Sequence, residues 1–236
     1  MSKKKLLSLA LVVIMIATIS FSTLAWFNAS DSVTNDFLIA DSNGDGKPDF
    51  SVEVFEHDKD DREVDNLKFE NITPNAQLEK DPTVRNTGDY SMYTRLVVTL
   101  SDATTWLTAS AKYNLATEPK FIFEKLVNIN TAHWIRYNEP EIDITADTIT
   151  YVYYYNGVVD PNGVTEPLFE KVTIPYQLQQ DDMNFGADKT FTMAIRADAI
   201  QSKNIVNANS SLTQNDAFKA FIETANWQAG AAYPQP

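Results

Sequence analysis

The most specific chemistry in this chain is the run Asp41-Ser42-Asn43-Gly44-Asp45-Gly46-Lys47-Pro48-Asp49. Asp41, Asn43 and Asp45 alternate, so their side-chain oxygens can converge, and Gly46 permits the tight bend that must follow. The Lys47 carbonyl and Asp49, directly or through water, extend an all-oxygen set of the kind a hard divalent cation such as calcium selects. The bidentate Glu of a helix–loop–helix calcium site is missing, because Val52 stands at the twelfth position. A strand-like segment follows where such a site would continue into a helix. The spacing therefore predicts a calcium loop on a different scaffold, against the plainer reading of a polar turn between two strands.

Other reactive groups are sparse. There is no cysteine, which removes thiol nucleophiles, disulfides and cysteine zinc sites. Only two histidines occur, His57 and His133, and no His-Glu-x-x-His pairs them with a base as zinc hydrolysis would ask. No Gly-x-Ser-x-Gly elbow is present, and a chain with seven glycines has no phosphate-cradling glycine loop. With 32 acidic residues, closely spaced carboxylates carry no information by themselves. The net charge of −13 excludes the basic footprint of a nucleic-acid binder and suits divalent cations. The chain reads as a non-enzyme.

The elements that must position the loop begin with a leader. Lys3, Lys4 and Lys5 precede an apolar run, Leu6 to Leu24, and small residues stand at Thr23 and Ala25. That is the pattern of a secretory signal peptide over residues 1–25, cut between Ala25 and Trp26. The alternative is an uncleaved anchor, since about 19 apolar residues just span a bilayer. Contact with a membrane is expected only through the uncleaved leader. Its removal takes the charge from −13 to about −16 and leaves about 211 residues, enough for one domain of ordinary core size.

The mature part reads as strands. Val33–Ile39, Phe50–Phe55, Leu67–Ile72, Thr83–Arg85 and Met92–Leu100 are short runs divided by turn residues. Asp147–Tyr155 alternates most clearly, with Ile149, Tyr151, Tyr153 and Tyr155 on one side, and Asn156-Gly157 after it is a hairpin signal. The tyrosine ladder is read as cross-strand packing on a half-buried sheet in preference to a carbohydrate platform. Val158–Val159, Phe169–Ile174 and Thr190–Ala197 continue the pattern, and His133 falls in a further strand-like stretch. Ala103–Asn130 breaks it, as an irregular insertion of short helix and strand pieces. Thr213-Gln214-Asn215-Asp216 resembles a capping box, and Ala217, Phe218, Phe221, Ile222 and Ala225 form a helical stripe, so a helix is expected near 213–226. The expected fold is all-β, a jelly roll or β-sandwich over residues 40–236, with a C-terminal helix and that insertion.

Three blocks carry a family resemblance. They are the junction Thr23-Leu24-Ala25-Trp26-Phe27 with Asp31–Phe37; Ile72-Thr73-Pro74 with Lys80–Tyr90 and Met92–Leu96; and Ala194–Gln201 followed by Asp216-Ala217-Phe218. Together they resemble exported Gram-positive proteins with an alternative, SipW-type signal peptide, the TasA/camelysin family. The resemblance implies a jelly-roll domain, cleavage by the dedicated SipW-type signal peptidase, and a place in the extracellular biofilm matrix or on the cell surface. It also implies self-association into fibres by donor-strand exchange, in which the mature N-terminal segment adds a strand to the next subunit. A camelysin-like metalloendopeptidase and a surface adhesin are the alternatives. The calcium loop is not something the family implies.

Residues 26–39 suit such a donor strand, with Trp26, Phe27, Val33, Phe37 and Ile39 apolar among polar neighbours. Main-chain hydrogen bonds would let them complete an open sheet edge. A contact of that kind, repeated without closing on itself, builds a filament. Pairing within the same subunit, as its first strand, is the equal alternative.

Overall fold

The computed structural model describes residues 28–31, 50–58, 60–64, 73–178, 182, 191–202 and 214–228. More of these lie in antiparallel strands than in helices. The large sheet has the order β1 (Asn28–Asp31), β11 (Met193–Gln201), β6 (Met92–Ser101), β9 (Thr148–Tyr155), β7 (Trp134–Ile135), with β8 (Glu141–Asp143) also paired to β9. Two smaller sheets have the orders β3 (Glu63–Val64), β2 (Val52–His57), β5 (Thr83–Asn86) and β10 (Lys171–Thr173), β4 (Gln77–Glu79). No helix among the described residues is long and apolar enough to cross a membrane.

Alternation sets the core. Met92, Thr94, Leu96, Val98 and Leu100 of β6 are all fully buried on one face. Tyr153, Tyr151 and Ile149 of β9 lie opposite Leu96, Val98 and Leu100. Val52 and Val84 from the smaller sheet share this core with them. Each such side chain contributes about 1.5–3 kcal/mol by leaving water.

The stretch after β6 is helical, with a single strand-like bridge, Val127 to Val172. It holds α1 (Ala103–Tyr113), a 3-10 turn (Pro119–Phe121) and α2 (Phe123–Leu126). Asp147, expected as the first residue of β9, instead caps α1. It sits at φ 52°, and its Oδ1 accepts the Thr104 N–H at 2.8 Å. The tyrosine ladder anchors the rest of the insertion. Tyr151 Oη donates to the Lys120 carbonyl at 2.7 Å and accepts the Phe123 N–H at 3.3 Å. Tyr151→Phe would strand both backbone groups and is expected to cost about 1–3 kcal/mol. A lower urea midpoint with an unchanged slope would show this.

The hairpin expected at Asn156-Gly157 does not form. Tyr154 faces Arg95, so an unbroken register would bring Gly157 opposite Met92, yet Val159 holds that place. The Met92 and Val159 backbones exchange hydrogen bonds at 2.9 and 2.8 Å. Asn156-Gly157 is therefore a bulge: β9 already lies along β6, and the chain continues beside it. The turn comes later, where Gly163 N–H donates to the Asp160 carbonyl at 2.7 Å after Asn162 at φ 61°. A Cβ on Gly163 would stand 2.7 Å from that carbonyl oxygen, so this position requires glycine.

Helix α3 (Asp216–Gln228) lies on the outer face of the large sheet. Its cap is Asn215, whose Oδ1 accepts the Phe218 N–H at 2.9 Å, two residues later than the capping box predicted. Asn215 Nδ2 also donates to the Tyr155 carbonyl at 3.2 Å, which fixes the helix start to β9. Ala217 and Phe221 cover Tyr154 and Ile200.

Candidate functional site

The segment Asn28–Asp31 is the edge strand of the large sheet. It runs antiparallel to β11 with Asn28, Ala29, Ser30 and Asp31 opposite Ile200, Ala199, Asp198 and Ala197. Among the described residues, this covers four of the nine residues of β11. Among the described residues, no strand lies beside Met193–Arg196 on that side of β11. Burial follows the same division: Ala197 to Ile200 are buried, whereas Ala194 and Arg196 are exposed. β2 of the smaller sheet packs against both β1 and β11 and so walls the edge from one side.

Strand β11 is stiffened where β1 meets it. Asp198, 8% exposed, lies opposite Ser30 in β1 and Arg95 in β6. Its Oδ2 accepts Arg95 Nε at 2.9 Å, and its Oδ1 accepts Arg196 Nε at 2.9 Å. The Arg95 guanidinium sits 4.3 Å above the Phe221 ring of α3. One carboxylate thus ties β11, β6 and the helix together beside the edge. Nothing in the strand pattern singled out Asp198; the signal available was two opposite charges two residues apart, Arg196 and Asp198, on one face of a strand.

A second charged joint fixes β2. Glu56-His57 at its end faces Lys80-Asp81, the joint between β4 and β5. Glu56, 3% exposed, pairs through Oε1 with Lys80 Nζ, and its Oε2 has no hydrogen-bond partner. Burial pushes the Glu56 carboxyl above its ordinary range, and Lys80 opposes that. His57 Nδ1 meets Asp81 Oδ2 at 2.6 Å, and His57 N–H donates to Asp81 Oδ1 at 2.7 Å. The segment Lys80–Leu96 thus has structural work. Asn86, fully buried, donates Nδ2 to the Tyr90 and Val159 carbonyls at 2.8 and 2.9 Å and accepts the Gly88 N–H at 3.1 Å.

Asp41, Asn43, Asp45, Lys47 and Asp49, expected as a calcium loop, lie outside the described residues, as do Trp26, Phe27, Val33, Phe37 and Ile39, expected in a donor strand, and Ala25 at the expected cleavage position. The two histidines belong to separate pairs. His133 is in a turn ahead of β7, not in a strand, with Nδ1 3.3 Å from Glu166 Oε2. Glu166 also accepts Tyr155 Oη at 2.5 Å, and burial, helped by this hydrogen bond, pushes the phenol up to about 12. Among the described residues, no group of three or more His, Cys, Asp or Glu is placed to hold a metal ion.

No family model matches this chain. No curated protein and no solved structure matches it either.

Proposed function

We propose that this protein is an exported structural subunit of a surface or biofilm-matrix fibre, assembling through its mature N-terminal strand. The observation that carries this reading is the β1–β11 edge. Four residues of the N-terminal segment already pair there, and the neighbouring half of β11 offers unpaired main-chain groups among the described residues. Main-chain pairing is indifferent to which subunit supplies the strand, so exchange between copies replaces one ladder with an equal one. A donor laid in the same register brings Val33 opposite Ile195, adding apolar contact to the ladder. We read the antiparallel sheets sharing one core as a β-sandwich of jelly-roll type, with the leader removed after Ala25 and the Asp41–Asp49 loop filled by calcium. A short edge strand, paired at four positions among the described residues, is the kind that can leave its own sheet.

The absence of cysteine makes the test direct. Ala29→Cys combined with Ala199→Cys places thiols on facing residues, within reach of a disulfide. In the mature protein beginning at Trp26, fibres seen by electron microscopy should give an intermolecular disulfide ladder on oxidation. Monomeric protein under the same oxidant should close the bridge within one chain. Fibres without intermolecular bridges would overturn donor exchange, and an absence of fibres at any concentration, with or without calcium, would overturn the structural role.

A further inference from the structure

We propose that His57 and Asp81 form a pH-sensitive clasp, holding the end of β2 against the joint between β4 and β5 while the imidazole is protonated and loosening when it is not. The inference stands without the fibre reading, although β2 also walls the β1–β11 edge.

The geometry is that of a purpose-made grip. Both oxygens of Asp81 are used by one residue, Oδ1 by the His57 backbone N–H and Oδ2 by its ring Nδ1, at 2.7 and 2.6 Å. Adjacent residues on each side carry crossed charges: Glu56 faces Lys80 and His57 faces Asp81. Because successive residues of a strand point to opposite faces, one pair lies inward and the other outward. The inward pair is nearly closed to water, with side chains 4% and 11% exposed, whereas His57 and Asp81 are 33% and 26% exposed, so the outer pair can exchange protons with solvent. The His57 ring stands edge-on to Phe55, centroids 5.5 Å apart, which fixes its orientation.

The charged surroundings favour the imidazolium. On β2 itself stand Glu53 and Glu56. Among the described residues, the turn into β3 brings Asp58, Asp60, Asp61 and Arg62, β3 brings Glu63, the β4–β5 joint brings Lys80 and Asp81, and β5 brings Arg85. Lys80 is occupied by Glu56, Arg85 by Glu53 and Glu63, and Arg62 by Asp58 and Asp60. The hydrogen bond to Asp81, helped by the charges of Asp81, Asp61 and Glu63, raises His57 above the ordinary 6.5 of histidine. A raised basic group contributes stability in full below 6.5 and loses it as pH rises through the folded value. The clasp therefore weakens toward alkaline pH.

Two histidines make the measurement clean. NMR titration of the imidazoles in the native chain, with His133→Gln to assign them, should show His57 titrating above 6.5. Asp81→Asn should return it to about 6.5. Between pH 6 and 9 the native melting temperature should fall by on the order of 2 °C more than that of His57→Gln. A His57 titrating at or below 6.5 in the native chain would overturn the proposal. So would a His57→Gln variant that keeps the native pH dependence.

Discussion

Lys80→Met is expected to destabilise the fold by about 3–5 kcal/mol, because it removes one partner of a buried ion pair and leaves the other charged. Glu56 is 3% exposed, and its Oε2 already lacks a hydrogen bond, so the stranded carboxylate would have nothing to replace the ammonium group. Equilibrium unfolding in urea measures the loss. Two further observations separate this cause from simple loss of packing. Adding Glu56→Leu should recover most of the deficit, since an apolar pair of similar volume has no charge to bury. The deficit of the single variant should also shrink as pH falls. Burial raises Glu56 already, and without Lys80 it takes up a proton at a still higher pH, which relieves the buried charge. A deficit that is constant with pH, or that persists in the double variant, would show that the lysine stem matters and its charge does not.

Phe123→Ala should cost a similar amount, about 3–5 kcal/mol. Phe123 is fully buried, with its ring 4.9 Å from Tyr151, 6.1 Å from Tyr153 and 5.7 Å from Phe169, centroid to centroid. It begins α2, a helix of four residues, which has no cooperative stability of its own and depends on this contact. The cavity left by alanine would open between the insertion and β9. Thermal or urea unfolding gives the magnitude. Hydrogen exchange should show the amides of 120–126 losing protection before those of β6. Uniform loss across the chain would mean that the insertion and the sheet unfold as one unit.

Much of the sheet was legible because its signal is local. Met92–Leu100 and Thr190–Ala197 are short apolar-rich runs bounded by turn residues, and they became β6 and β11 with shifts of up to four residues at their ends. The reading failed where a distant partner overruled a local preference. Asn156-Gly157 has the composition of a hairpin, but β9 was already committed to β6, and the surplus residues became a bulge. Asp147 has strand neighbours, but the open N-terminus of α1 drew it out of the strand to serve as a cap. The C-terminal helix was recognised by its stripe, while its start was set by Asn215, which also bonds to β9.

The candidate site divides along the same line. The sequence by itself determined the acidic, cysteine-free character of the chain, the strand character of Thr190–Ala197 and the clustered oxygens of Asp41–Asp49, since composition and short-range patterning are properties of neighbouring residues. Only the tertiary structure decided that Asn28–Asp31 lies against Ala197–Ile200, about 170 residues away, that Asp198 gathers Arg95 and Arg196 beneath α3, and that Glu56-His57 meets Lys80-Asp81. Such contacts depend on which strands become neighbours. That is settled by burying the most apolar surface over the whole chain, and no single stretch of residues records it.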